Sequence, residues 1–252
     1  MLKELENLFD KYSFNARVKP AFLLVFPVVI SIIVLYEPAR SWGGSVLTIV
    51  SSFGVIAFAA NQMSTRGNIL QEKLFRKWGA APTTIFLRHS DSRLDTHTKS
   101  RYMKKLEELI PNFESVSPHA ELIDPVSADE MYRTASAFMR EYTRNIKQFP
   151  LVFKENVSYG FSRNTRAFKW IGTLITLLSL IFSSIIVWYR YIKGNSEPIL
   201  DLVFNIPFEN TALLILLFVI LLLWLFLVTE RWVEIRAFSY ARALFASCES
   251  KE

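Results

Sequence analysis

The sequence predicts a mainly α-helical membrane protein: four transmembrane helices, with a mostly helical cytoplasmic domain inserted between the second and third spans. Residues 211–228 contain no charged side chain, and a helix of that length measures roughly 27 Å, close to the hydrocarbon thickness of a bilayer. Three further apolar runs occur at 20–36, 45–60 and 168–191. Hydrophobic residues make up 51% of the 252-residue chain, a composition that excludes a disordered chain and a plain soluble enzyme.

The predicted segments follow the order of these runs. Leu2, Leu5 and Leu8 have the spacing of a short amphipathic helix, which can lie on the membrane, pack on a partner helix or fold beneath a pore. Pro27 would kink the first span without forbidding it. The segments are an N-terminal amphipathic helix at 1–19, the first and second spans at 20–61, a cytoplasmic basic domain at 62–166, the third and fourth spans at 167–228, and a cytoplasmic C-terminal tail at 229–252.

Lysine and arginine are distributed unevenly about the spans. The short connections at 37–44 and 192–210 hold only Arg40 and Lys193, whereas residues 62–166 hold seventeen basic residues. The positive-inside rule therefore predicts that both termini and the middle domain are cytoplasmic. A net charge of +6 favours anionic partners, and lipid headgroups satisfy this preference as readily as nucleic acid does.

Two of the spans carry small and hydroxylated side chains on one helical face. Such a face favours close helix packing through small residues, or it lines a water-filled pore. The residues alone leave both interpretations open. The candidate pore-lining residues are Ser45, Thr48 and Ser52 in the second span and Thr176, Ser179 and Ser183 in the third.

Local signals in the middle domain predict mostly helix. Asp95 is a candidate N-cap for a helix ending near Ile110, although Thr98 could cap it instead. The remaining expectations are a continuation of the second span over 62–77, a short β-rich segment at 83–87, a helix opened by the capping box at 127–130 and ending near Gln148, and a helix at 151–166 that runs unbroken into the third span.

The segment 75–105 interleaves basic and aromatic residues. Basic groups neutralise phosphates and aromatic rings stack on unpaired bases, so this mixture suits a nucleotide or a single strand. A basic domain that faces lipid headgroups is the alternative interpretation. The candidate ligand-binding residues are Arg76, Lys77, Trp78, Arg88, His89, Arg93, Lys99, Arg101 and Tyr102.

No catalytic residues, metal site or cofactor are predicted. His89, Asp91, Asp95 and His97 lie close together in the sequence, but no third histidine or zinc-binding helix motif accompanies them. The chain also has no phosphate-binding glycine loop and no nucleophile motif. Cys248 is the one cysteine, which excludes an internal disulfide and a multi-cysteine metal site.

The segments RKWG at 76–79, PTT at 82–84, RHSDSRL at 88–94 and TKSRY at 98–102 resemble bacterial membrane proteins of anti-phage operons. The order of spans and middle domain is similar to that of the membrane effector of the Hailong defence system. The resemblance implies a multimeric ion channel, expected to be a homo-tetramer, in the bacterial inner membrane. It also implies that short single-stranded DNA oligomers, made by a neighbouring nucleotidyltransferase-like polymerase, hold the channel shut. Loss of the oligomer would then depolarise the infected cell.

Three other functions compete with a DNA-gated channel. A related effector could respond to a cyclic nucleotide or another nucleotide second messenger, which a ligand-binding panel would reveal. A non-conducting scaffold could recruit a soluble partner through the basic domain. An enzyme acting on nucleic acid or lipid would show turnover that depends on His89 and His97.

Overall fold

The computed structural model describes residues 10–193 and 205–250, and every regular element in these residues is helical. Four of the helices are long and apolar enough to cross a membrane, so the predicted mainly α-helical class with four candidate spans is confirmed for the described residues. The helices are α1 (Lys11–Leu35), α2 (Glu37–Arg40), α3 (Trp42–Trp78), α4 (Pro82–Leu87), α5 (Thr96–Leu109), α6 (Pro118–Ile123), α7 (Pro125–Tyr142), α8 (Pro150–Ala167), α9 (Lys169–Tyr191), α10 (Phe208–Leu227) and α11 (Glu230–Ala246).

The chain forms two compact units. The span unit contains the described parts of Met1–Asn68 and Phe161–Glu230, and the second unit contains Ile69–Gly160 together with Arg231–Glu252. The segment predicted as a C-terminal tail, 229–252, therefore contains a helix that belongs to the second unit. Helix α11 contributes Ala241, Leu244 and Phe245 to the hydrophobic core of the second unit, because its apolar residues recur at helical spacing and find partners far away in the sequence.

The span unit is built around the packing of α1, α9 and α10. Leu35, Val187, Leu213 and Leu217 form the apolar centre of this packing. Gly172 of α9 lies so close to the indole of Trp224 that an added Cβ would be 2.5 Å from the ring. Small residues on α9 thus allow close helix approach within one chain, as they do in other membrane proteins.

The N-terminal segment differs from the amphipathic helix predicted at 1–19. Residues 1–9 of that prediction lie outside the described residues. From Lys11 onward the chain is already part of α1, with π geometry over Phe14–Val18. Asp10 caps this helix, because its Oδ1 accepts hydrogen bonds from the backbone N–H groups of Tyr12 at 2.7 Å and Ser13 at 3.1 Å. Residues 11–19 therefore begin the first span and do not form a separate helix.

Two local predictions in the second unit are corrected. The segment 83–87, predicted to be β-rich, belongs to α4, in which Pro82 occupies the first turn and every side chain is buried. The helix predicted to open at Ser127 begins instead at Pro125, capped by the side chain of Asp124. It ends at Tyr142, because Asn145 then accepts turn hydrogen bonds from the backbone of Lys147 and Gln148.

Three other local predictions have different outcomes. Asp95 caps α5 as expected, with its carboxylate accepting from the N–H of Thr98 at 2.8 Å. The predicted continuous helix from 151 into the third span is broken at Phe168, whose backbone angles of φ −104° and ψ 9° are not helical. The extension of the second span over 62–77 is confirmed by α3.

Candidate functional site

Arg88, a predicted ligand residue, is engaged in an internal ion pair. Its Nε and Nη2 donate to the two carboxylate oxygens of Asp129, at 2.8 and 2.6 Å. This bidentate hydrogen bonding raises the pKa of the Arg88 guanidinium above its ordinary value. The pair joins the end of α4 to α7 across 41 positions of sequence. The Arg88 guanidinium is therefore committed to an ion pair within the second unit.

Lys99 is also a structural residue. Its side chain is buried, with 2% of the residue exposed, and its Nζ donates to the carbonyl oxygens of Arg88 at 2.5 Å and Asp91 at 2.7 Å. Burial lowers the pKa of this ammonium group despite the nearby carboxylates of Asp91 and Glu121. Lys99 therefore ties together two backbone carbonyl groups of the loop that follows α4.

His89 and the neighbouring backbone are held by Glu121. The Glu121 carboxylate accepts from the N–H of His89 at 2.7 Å, the N–H of Ser90 at 3.1 Å and the hydroxyl of Tyr132 at 2.6 Å. Burial alone would raise the pKa of Glu121, but these hydrogen bonds outweigh that effect and lower it. The His89 ring contacts the carbonyl oxygen of Val116 at 2.7 Å through Nε2. His89 is thus a component of a partly buried polar network.

The other predicted ligand residues are dispersed. Tyr102 is buried, and Arg101 pairs with Glu249 at 2.9 Å. Trp78 packs against Phe75 and Phe238. Arg76 and Lys77 are exposed at the end of α3. Arg93 lines a cavity of the second unit. The nine predicted ligand residues therefore do not form one binding face, because most of them are paired with carboxylates or buried.

The cavity beside Arg93 lies within the second unit and has a volume of about 540 Å³. Charged residues lining it are Arg93, Arg231, Arg242, Glu155 and Glu234, and its apolar wall includes Phe86, Leu151, Ile235 and Phe238. Sequence reasoning missed Arg231 and Arg242 because it treated their segment as a tail. The signal that could have identified them was the helical spacing of Val233, Ala237, Ala241 and Leu244, which predicts a packed α11 with these arginines outside its core face.

The electrostatics of this cavity favour a ligand with both anionic and hydrogen-bond-donating groups. The Arg93 guanidinium lies 3.8 Å from the centre of the Phe238 ring, and its two Nη atoms pair with the carboxylates of Asp91 and, at 3.5 Å, Glu234. Arg231 pairs with Glu234 at 3.3 Å while its own side chain stays largely exposed. Glu155 Oε2 is buried and has no hydrogen-bond partner among the described residues. A ligand N–H group that reached this oxygen would satisfy it.

The predicted pore residues separate into two groups. Thr176, Ser179 and Ser183 of α9 are buried within the span unit, and Ser183 Oγ lies 3.3 Å from Ser31 Oγ of α1. Their face therefore packs against other helices of the same chain, and the lining of a pore by these three residues stays a prediction. In α3, Ser45, Thr48 and Ser52 are only partly covered, and their hydroxyls donate to the backbone carbonyls of Ala39, Gly44 and Thr48. This second group stays accessible in the single chain.

Known proteins add no further constraint on this site. No protein family model, curated protein or solved structure matches the chain. The resemblance to the Hailong effector thus rests on the sequence segments at 76–102 and on the order of the spans.

Proposed function

We propose that the chain is one subunit of an oligomeric ion channel in which α3 borders the pore. The observation that carries this proposal is that the most polar of the four candidate spans is also the least buried within the chain. The span within α3 is the least apolar of the four, yet it has the smallest share of buried residues, 17% against 22 to 28% for the others. A helix with polar side chains is normally the one that membrane proteins bury most. Other copies of the chain, together with an aqueous path, would cover α3 in an assembly.

Side chains along α3 are suited both to packing against other subunits and to facing an aqueous path. Leu47, Val50, Phe53 and Phe58 are 58 to 69% exposed and can pack against lipid or a neighbouring subunit. The hydroxyl of Ser52 donates to its own helix at 2.7 Å, so its proton is satisfied while its oxygen can still accept from water. A hydroxyl row of this kind can border a pore without leaving unpaired donors when the pore closes.

The ligand in this proposal is anionic and binds the cavity of the second unit. Arg231 and Arg242 would neutralise phosphate groups beside Phe238, whose ring already carries Arg93, itself paired with Asp91 and Glu234. The same α3 that carries Ser52 ends at Trp78, whose ring lies 6.4 Å from that of Phe238. Binding that favours one arrangement of α3 over another would gate the channel.

The resemblance extends this proposal to a biological setting. Short single-stranded DNA would close a homo-tetrameric channel in the bacterial inner membrane, with both termini and the second unit in the cytoplasm. A nucleotidyltransferase-like polymerase would supply the DNA. Opening after loss of the ligand would depolarise the cell and stop phage replication. Catalysis, metal and cofactor have no part in this function.

A single nucleotide second messenger is the other ligand that an observation favours. A volume of about 540 Å³ falls within the range of small-molecule sites, about 300 to 1,000 Å³. The unpaired Glu155 oxygen could accept from a base amino group. A longer DNA strand would place only one or two nucleotides in the cavity, so binding measured with mononucleotides, cyclic nucleotides and short strands separates the two ligands.

Ion flux through liposomes containing the purified protein tests the channel. We expect flux that short single-stranded DNA reduces, and we expect Ser52→Phe to lower the flux without changing the size of the assembly. Leu47→Phe, on another face of α3 and 67% exposed, is the matched control and should conduct as the wild type does. Absence of flux from a correctly inserted assembly, with or without DNA, would contradict the proposal and favour the scaffold.

Charge reversal in the cavity tests the ligand site. Arg231→Glu combined with Arg242→Glu should weaken the effect of DNA on flux by about 100-fold at low salt and reduce the salt dependence, because counterion release requires cationic contacts. Flux without DNA should persist. Arg140→Glu with Arg144→Glu makes the same change in net charge at exposed positions outside the cavity and should have little effect. Equal loss in both double variants would place the ligand elsewhere on the basic surface.

A further inference from the structure

A groove on the span unit has the form of a lipid site. It lies between α1 and α9, and its volume is about 460 Å³. Its wall is apolar along most of its length, with Val28, Ile32, Leu178 and Phe182 each 41 to 64% exposed. The groove does not overlap the cavity of the second unit, and it is independent of the channel proposal.

The two ends of the groove differ in chemistry. Arg190 and Tyr36 line one end, whereas Ile175 and Val28 lie towards the other. From Ile175 to Arg190 the groove follows α9 for roughly 22 Å at 1.5 Å per residue. Half of a bilayer's hydrocarbon core is about 15 Å thick. The groove is therefore long enough to accept an acyl chain from one leaflet.

Arg190 is placed where a lipid headgroup would be. It is the second-last residue of α9 and is neighboured by Trp188, Tyr189 and Tyr191, and such aromatic residues are enriched at the membrane interface. Arg190 has no hydrogen bond or ion pair with any residue in the described parts of the chain. Its charge thus adjoins an apolar channel at headgroup depth, which matches an anionic headgroup joined to an acyl chain.

The nearby cations do not duplicate this arrangement. Arg40 donates to the carbonyl oxygen of Val34 at 2.9 Å and lies 3.6 Å from Glu209, so its charge is already partly neutralised. Lys193 lies over the ring of Tyr189 at 4.6 Å and does not line the groove. Arg190 is therefore the cation that the groove itself provides.

We infer that the α1–α9 groove binds one anionic phospholipid per chain, with an acyl chain along Ile32, Leu178 and Phe182 and the headgroup phosphate on Arg190. Ser179 and Ser183, which border the same groove, then lie beside a lipid and not beside a pore. A bound lipid would fill the gap between two spans whose packing positions the rest of the span unit.

Native mass spectrometry of the full-length protein in detergent tests this site. The protein is titrated with phosphatidylglycerol or with phosphatidylcholine of the same acyl chains. We expect one tightly bound phosphatidylglycerol per chain and about fivefold weaker phosphatidylcholine binding, the ratio that roughly 1 kcal/mol for one arginine near an anionic lipid implies. Arg190→Gln should remove this preference, whereas Lys193→Gln, an equal loss of charge at the same end of the helix, should retain it.

A second pair of variants tests the groove independently of charge. Leu178→Trp should block the groove and weaken binding of both lipids. Leu177→Trp adds the same volume at a neighbouring position that is 38% exposed and does not line the groove, so it should leave binding unchanged. Unaltered lipid binding in Leu178→Trp would overturn the site, as would equal affinity of the wild type for the two lipids. If Leu178→Trp changed the number of subunits in the assembly and left the number of bound lipids unchanged, the groove would be assigned to a second copy of the chain.

Discussion

Arg88→Ala is expected to lower the free energy of unfolding by about 2 kcal/mol, because Asp129 would lose its bidentate partner while remaining partly buried. The side chains of Arg88 and Asp129 are only 25% and 21% exposed, so water would replace the lost hydrogen bonds incompletely. Thermal or chemical unfolding of the detergent-solubilised protein measures the change.

Arg133→Ala is the matched control for this substitution. Arg133 pairs with Glu130 on α7, but those side chains are 60% and 71% exposed, and exposed pairs contribute little. A double-mutant cycle of Arg88→Ala with Asp129→Ala should show strong coupling, since both changes remove one interaction. Additive losses, or an Arg88→Ala variant as stable as the control, would refute the structural role.

This result bears directly on how ligand-binding experiments are interpreted. Loss of DNA binding in an Arg88 or Lys99 variant would reflect a disturbed second unit. Arg231 and Arg242 are more informative positions because they line the cavity and both residues are exposed.

Gly172→Leu is the second substitution with a large expected effect. Even one added carbon would lie 2.5 Å from the Trp224 indole, so α9 and α10 would have to separate. Overpacking of this kind costs about 1–3 kcal/mol, and we expect earlier thermal unfolding of the detergent-solubilised protein. The face of α9 that includes Thr176 and Ser183 would lose its packing together with Gly172.

Leu174→Trp provides the control for Gly172→Leu. Leu174 is 55% exposed, so a larger side chain there should be tolerated in the detergent-solubilised chain. If Gly172→Leu were as stable as Leu174→Trp, the α9 face would not be a packing face, and its interpretation as a pore lining would have to be reconsidered.

Elements whose cause is local are predictable from the sequence. An uncharged run long enough to cross a bilayer needs no tertiary partner to be recognised, since the hydrocarbon core excludes unpaired backbone groups. The four spans were predictable for this reason. The cap at Asp95 was equally predictable, because its carboxylate reaches a backbone N–H only three residues away.

Which polar residues remain available depends on contacts between distant parts of the chain. Arg88 and Asp129 are 41 positions apart, and Arg101 and Glu249 are 148 apart, so no periodicity indicates these pairs. Segment 83–87 has β-forming residues, yet burial of a short helix overrides that weak preference. The face of α9 is a further example. A stripe of small residues has the same spacing in the sequence whether it lines a water-filled pore or packs against a tryptophan. Only the position of Trp224 distinguishes these two cases, and that position depends on contacts between helices far apart in the chain.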